Sequence, residues 1–156
     1  MSSNPTNVVI AGLGGQGVIK ASDIVADVAA EAGLDEKKSE IHGMSQRGGS
    51  VSSDVRFGQR VFSPMVAEGE ADFLVVIAAD QIEVNRAVLA PGGVLIDPSQ
   101  IDESLLSNKK SINVALLGVL SRHLPFPDEA WKAALSRNLP EKLLEVNLKS
   151  FSIGQG

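Results

Sequence analysis

The apolar positions along the chain change period several times, and each change marks an element. Val8-Val9-Ile10 is a continuous β-branched run, the pattern of a strand covered on both faces, and it predicts a strand over residues 7–11. Glycines pack the turn that follows, and from Val18 the period lengthens. Val18, Ala21, Ser22, Val25, Val28, Ala29 and Ala32 recur at helical spacing, with Lys20, Asp23, Asp27 and Glu31 on the opposite face. Gly33 is placed to stop that helix. Strand, glycine turn and amphipathic helix make the first half of a βαβ unit.

Residues 37–41 read as a short strand leading into a polar, glycine-rich loop. Ser50 to Phe57 then alternates, with Val51, Val55 and Phe57 on one face. Gly58-Gln59 is predicted to turn it into a return strand over residues 60–63, closed by Pro64, so that a hairpin interrupts the βαβ pattern. Phe73 to Ala78 is the second strongly apolar strand. Asp80 with Glu83 three residues later predicts a helix start, and that helix carries Ile82, Val84, Ala87, Val88 and Leu89 up to Pro91-Gly92-Gly93. Val94 to Ile96 is the next strand, ended by Asp97-Pro98.

The pattern predicts an α/β fold: a Rossmann-like, mostly parallel sheet with covering helices and an inserted β-hairpin. In the last third, residues 111–113 read as a short strand and Val114 to Leu120 as a helix buried nearly all round. Asp128-Glu129 opens a helix with Ala130, Trp131, Ala134 and Leu135 on its apolar face. Pro140 opens the last one, whose stripe is Leu144, Leu148 and Phe151 and whose end is Gly154. No repeat or linker interrupts the chain, so residues 1–156 read as a single domain.

Composition narrows the function classes. A formal charge of −5 argues against a nucleic-acid surface. No apolar run approaches the roughly 20 residues of a membrane helix, and Met1 to Asn7 lacks a basic-then-apolar signal pattern; a cytoplasmic protein is expected. There is no cysteine, hence no disulfide and no thiolate for an iron–sulfur cluster. His42 and His123 are far apart, without a carboxylate at metal-ligand spacing. The chain offers no convincing nucleophile, no paired carboxylates in one motif and no redox centre, so no catalytic or metal residue is assigned.

Candidate chemistry gathers in two places. Gly12, Gly14 and Gly17 fit the G-x-G-x-x-G spacing, which directs backbone N–H groups and a helix N-terminus at an anion. Gly15 lies inside that turn and Gln16 can add an amide contact. The same glycines would also serve a tight turn and close helix–strand packing, so the motif names no ligand. NAD would want an acid after the second strand, and Glu40 is the literal candidate, but its strand runs straight into the polar loop. In that loop Arg47, between glycines, can meet a carboxylate or phosphate bidentately, or pair with Glu40 or a partner subunit. His42 can donate near neutrality or stabilise the turn; Ser45 and Gln46 are polar loop residues. Elsewhere, Arg56 and Arg60 read as solvated or interface charges, Asn113 as a helix cap, Asn147 as bonded to backbone or facing a partner, and His123 and Trp131 as core-edge residues.

The loop Ser39-Glu-Ile-His-Gly-Met-Ser-Gln-Arg-Gly-Gly-Ser50, taken with the glycine turn, resembles the gamma subunit or gamma-type domain of 2-oxoacid:ferredoxin oxidoreductases. Its His42-to-Gly49 wording is most similar to the beta subunit in the indolepyruvate ferredoxin oxidoreductase branch. Asn113-Val-Ala-Leu-Leu-Gly118 resembles the family's Asn-x-x-x-Leu-Gly helix, and Glu145-Val-Asn-Leu-Lys-Ser-Phe151 its closing Asn-x-x-Ala-Phe helix. The connection from Asp97-Pro98 to Lys109-Lys110 is shorter than the family's, and Ser150 stands where the family has alanine.

The resemblance implies a multi-subunit enzyme that oxidatively decarboxylates a 2-oxoacid, reduces ferredoxin and forms an acyl-CoA. It places thiamine diphosphate, magnesium and [4Fe-4S] clusters on a larger partner subunit. This chain would be a non-redox subunit, inactive alone, on the coenzyme A side of a shared site. The candidate cofactor-binding set is then Gly12, Gly14, Gly15, Gln16, Gly17, His42, Ser45, Gln46 and Arg47. The alternatives are a stand-alone Rossmann-type NAD-binding protein and a purely structural subunit.

Overall fold

The computed structural model describes residues 4–42 and 49–156. Its sheet contains strands β1 (Thr6–Leu13), β2 (Asp35–His42), β3 (Ser50–Gly58), β4 (Ala71–Val76) and β5 (Leu89–Ile96), in the order β2-β3-β1-β4-β5. β4 runs parallel to both β1 and β5, whereas β3 runs antiparallel to both β1 and β2. Four strands therefore share a direction and β3 opposes them. The helices are α1 (Val18–Glu31), α2 (Ile82–Asn85), α3 (Ile112–Ser121), α4 (Asp128–Asn138) and α5 (Glu141–Gln155).

The inserted hairpin is present, but its arms are β2 and β3. A few residues join them, too few for the crossover a parallel pair would need, so they must lie antiparallel. β3 is then paired along both edges, from Leu13↔Ser50 on β1 to His42↔Val51 on β2. No edge is left for residues 60–63, and the predicted return strand does not form. The predicted helix over residues 80–89 is also cut down. Leu89 is drawn into the sheet opposite Ala71, which leaves the four residues of α2 between single 3-10 turns at Ala79–Gln81 and Arg86–Val88. β5 correspondingly begins well before Val94. Residues 111–113, predicted extended, end a 3-10 turn (Lys109–Ser111) and open α3.

The strand alternation divides the sheet into two faces. Val8, Ile10, Val75 and Ile96 point to the face covered by α1, α3, α4 and α5. Trp131 and Phe151 are the largest side chains wholly buried there; Trp131 is a core residue with rings of Phe126 and Phe151 beside it, not a core-edge one. His123 is exposed, its ring 5.6 Å from that of Phe73. On the other face, among the described residues, Val9, Leu74 and Val76 form a smaller cluster with Val66, Ala71 and the partly buried Ile82, Val88, Leu89 and Leu95.

Two contacts fix the helical layer. α3 and α5 touch backbone to backbone: a Cβ added at Gly118 would strike the Phe151 carbonyl, and one at Gly154 the Ala115 carbonyl. Beside this crossing the buried hydroxyls of Ser111 and Ser150 lie 2.6 Å apart, and Ser150 also donates to the Val146 carbonyl. The serine that departs from the family's alanine thus ties the two helices together. At the surface Arg137 of α4 donates to Asp27 (2.8 Å) and Glu31 (2.6 Å) of α1, and these carboxylates raise its pKa above the ordinary arginine value. Asn147 donates to the Leu143 carbonyl at 2.8 Å, the backbone bond predicted for it.

Candidate functional site

The turn between β1 and α1 is built from its own backbone. Gln16 N–H donates to the Leu13 carbonyl (3.1 Å), and the Gln16 Oε1 accepts from Leu13 N–H (2.8 Å). Gly15 and Gly17 have φ of 86° and 78°, the left-handed region that favours glycine. Gly17 is the N-cap residue of α1, which has no side-chain cap and no acid in its first turn. The first intrahelical bond runs from Ala21 N–H to the Gly17 carbonyl. The N–H groups of Val18, Ile19 and Lys20 accordingly have no partner within the helix, and they carry the positive end of its dipole. Gly12 is buried at the end of β1, where a Cβ would press Gln16 and Val18, so it permits α1 to approach the strand.

Asn113 braces this turn. It is the second residue of α3 rather than its cap, and its Nδ2 donates to the Gly17 carbonyl at 3.2 Å. A Cβ at Gly17 would collide with that amide. The bond links the glycine turn to the distant Asn113-to-Gly118 segment, so two of the segments that carried the resemblance meet in space.

The polar loop is attached at the same place. His42 is the last residue of β2 and Gly12, Val51 and His42 lie in one row across three strands. Gly49, where the chain is next described, accepts from Gly14 N–H through its carbonyl at 2.9 Å. Both ends of the loop therefore sit at the glycine end of the sheet. Ser45, Gln46 and Arg47 lie outside the described residues.

Two open cavities flank the turn. One, of about 280 Å³, lies against Leu13, Gly14, Gly15, Gly17, Lys20 and Val51. The other, of about 310 Å³, lies against Gly15, Gln16, Lys109, Lys110 and Ile112. Lys20, Lys109 and Lys110 are all exposed, so a chain of net charge −5 presents three cations around uncapped helical N–H groups. The donor set fits phosphate groups. Sequence reasoning missed the lysines because Lys109-Lys110 is distant in sequence; the Asn113 link to the turn is what would have brought it in. Glu40, the acid that an NAD reading would use, is not beside β1. Glu40 is on the outermost strand, two strands from β1, and is 3.8 Å from Lys38, which also pairs with Asp23 of α1.

Away from the turn, Arg56 donates to the Asn7 side chain (2.9 Å) and the Ser63 carbonyl (2.9 Å), while Arg60 stands over the Phe62 ring. Among the described residues there is no group of three or more His, Cys, Asp or Glu able to hold a metal ion, and no helix long and apolar enough to cross a membrane.

A Rossmann-like sheet with an antiparallel hairpin beside β1, and a glycine turn tied to that hairpin, defines a class. Residues 7–102 match the family described as pyruvate ferredoxin/flavodoxin oxidoreductase, and the chain belongs to it. It is similar to the indolepyruvate oxidoreductase subunit IorB of Thermococcus kodakarensis, with 33% identity over an alignment of 190 positions, gaps included, that covers 95% of this chain and 93% of that protein. The keto/oxoacid ferredoxin oxidoreductase gamma subunit of Geobacter sulfurreducens has the same fold, with a TM-score of 0.78 at 22% identity over 96% of this chain and 94% of that one. A 2-oxoglutarate:ferredoxin oxidoreductase from Magnetococcus marinus, solved with 2-oxoglutarate, coenzyme A and succinyl-CoA bound, matches 99% of this chain with a TM-score of 0.83 at 20% identity. This chain spans only 31% of that longer one.

Proposed function

We propose that this chain is a single-domain, gamma-type, non-redox subunit of a cytoplasmic 2-oxoacid:ferredoxin oxidoreductase of the indolepyruvate or aryl-pyruvate type. The observation that carries the reading is its similarity, along nearly the whole of both chains, to a subunit of indolepyruvate oxidoreductase. In this reading a larger partner subunit holds thiamine diphosphate, magnesium and the iron–sulfur clusters, decarboxylates the 2-oxoacid and passes electrons to ferredoxin. The cysteine-free composition of this chain agrees with clusters held elsewhere.

The chain's own contribution is one wall of the shared site. Gly15 and Gly17 present backbone donors, Gly14 ties the turn to Gly49 through its own N–H, the first turn of α1 adds its dipole, and Lys20, Lys109 and Lys110 supply charge for the phosphates of coenzyme A. Coenzyme A, when bound, supplies the thiol that accepts the acyl group. His42, Ser45, Gln46 and Arg47 belong to the loop anchored beside the turn, and the Arg47 guanidinium is the group suited to a carboxylate or phosphate.

Steady-state kinetics of the assembled complex test this assignment. In Gly14→Ala the new methyl has room, the nearest atom being the Gly49 carbonyl oxygen at 3.7 Å, so the variant folds and any ligand effect is separable. Loss of binding shared by ground and transition states raises KM alone. The Lys109→Gln/Lys110→Gln variant is expected to raise the KM for coenzyme A about tenfold, the equivalent of about 1.4 kcal/mol, with kcat within about twofold. An unchanged KM in both variants overturns the assignment. Saturable NADH binding to the isolated chain, lost in Glu40→Ala, would favour the nucleotide-binding alternative.

A further inference from the structure

The face of the sheet opposite the helical layer is thinly covered, and the cover displays apolar groups outward. After β3 the chain crosses this face as an irregular segment held at three points. Val61 N–H donates to Asp35 (2.8 Å), the Ser63 carbonyl accepts from Arg56 (2.9 Å), and Val66 N–H donates to Asp54 (2.8 Å). Val61 and Val66 are buried, yet Phe62 between them is 84% exposed and Met65 57%. Val84 of α2 (67%) and Ile41 of β2 (39%) are exposed as well. The last two border a cavity of about 180 Å³ with Ser50, Val51, Ser52 and Asn85.

These side chains have the composition of an interface core rather than of free surface: an aromatic, a methionine and an arginine on a fixed backbone. Arg60 stands 6.0 Å from the centroid of the Phe62 ring and has no carboxylate within ion-pair distance among the described residues. Because the segment is already tied by Asp35, Arg56 and Asp54, docking would order little further backbone.

We infer that this face, centred on Phe62 and Met65, docks onto the larger subunit, which offers an apolar socket for Phe62 rimmed by a carboxylate for Arg60. The inference rests on the reading of the chain as one subunit of a complex. Two observations select that occupant over a second copy of this chain. The same fold makes up 31% of a longer oxidoreductase chain, where the remaining two thirds lie in the same polypeptide. Two copies of this chain, each of net charge −5, would also repel one another.

Affinity of the full chain for the larger thiamine-type subunit, measured by calorimetry, tests the inference. Phe62→Asp should weaken binding at least tenfold, Met65→Asp less, and Leu143→Asp, at a partly exposed position of α5, less than twofold. Thermal melting of the free variants should match wild type, since Phe62 has little to lose in the isolated chain. Because the chain has no cysteine, Phe62→Cys gives a single thiol for labelling; maleimide should modify it readily in the free chain and at least tenfold more slowly in the complex. Wild-type binding with no loss in Phe62→Asp, or an equal loss in Leu143→Asp, overturns the inference and leaves the subunit reading intact. Failure of the wild-type chain to bind the larger subunit overturns both. A wild-type homodimer that Phe62→Asp dissociates would assign the face to a second copy instead.

Discussion

The two faces of the sheet are built to different standards. One lies under four helices whose side chains interlock around Trp131 and Phe151 and whose backbones meet at Gly118 and Gly154. On the other, the buried Val9, Ala71, Leu74 and Val76 of the sheet lie under an irregular segment that contributes Val66 and under one turn of helix, and Phe62, Met65 and Val84 are left in solvent. The difference teaches that the larger buried core lies on the helical side, while the thin side keeps apolar groups in solvent. The glycine turn sits at the end of β1, where α1 begins the helical layer.

Unequal cavity costs would show this contrast first. Leu117 and Leu74 are both wholly buried, but Leu117 is enclosed by packed helices and Leu74 by a cover that can settle inward. Leu117→Ala should cost about 4–5 kcal/mol and Leu74→Ala about 2–3 kcal/mol, read from urea midpoints. Equal losses would mean that the thin cover is as rigid as the helices. Gly154→Ala tests the backbone contact directly. With a carbonyl in the way and no side chain to yield, the loss should be about 3 kcal/mol, or a fall in Tm of about 6–12 °C. Ser150→Ala should cost about 1 kcal/mol, because the Ser111 hydroxyl can then give its one proton to the Asn108 carbonyl.

The smallest effect is one of pH, at the two carboxylates that pin the thin cover. Burial pushes the Asp54 carboxyl above the ordinary aspartate value, with the Val66 N–H opposing the shift. Its stabilising contribution is therefore full below the unfolded pKa of about 3.9 and is lost as pH rises through the folded value. Asp54→Asn, which cannot ionise, should gain stability relative to wild type as pH rises above about 4. For Asp35 the sign is reversed: the Val61 N–H holds its pKa low. Its contribution is present above about pH 4 and disappears as pH falls through the folded value. Asp35→Asn should be less stable than wild type at pH 7 and equal to it in acid. Parallel curves for both variants would sever the cover from these carboxylates.

Much of the architecture was legible in the sequence because local and global preferences agree. The Val8-Val9-Ile10 strand, the glycine turn, α1 and the buried α3 all form where periodicity placed them. The return strand at 60–63 failed because pairing is a global property: once β2 and β1 occupy both edges of β3, no local propensity can create another edge. The helix over 80–89 failed for a similar reason, since its last residue pairs more profitably in β5 than in a helical turn. At the site, the glycine turn and the helix behind it were legible from spacing. The lysines at 109–110 beside it were not, because they are distant in sequence and reach the turn through the tertiary fold. Trp131 was misplaced at the core edge because a single aromatic on a helix does not reveal which helices close over it.

Reconstitution with the larger thiamine-type subunit tests the account most directly. Ferredoxin reduction driven by an aryl-pyruvate and coenzyme A should be absent with this chain alone, weak with the larger subunit alone, and restored when the two are combined. Turnover by the isolated chain, or full turnover by the larger subunit without it, would contradict the assignment of this chain as a non-redox wall of a shared active site.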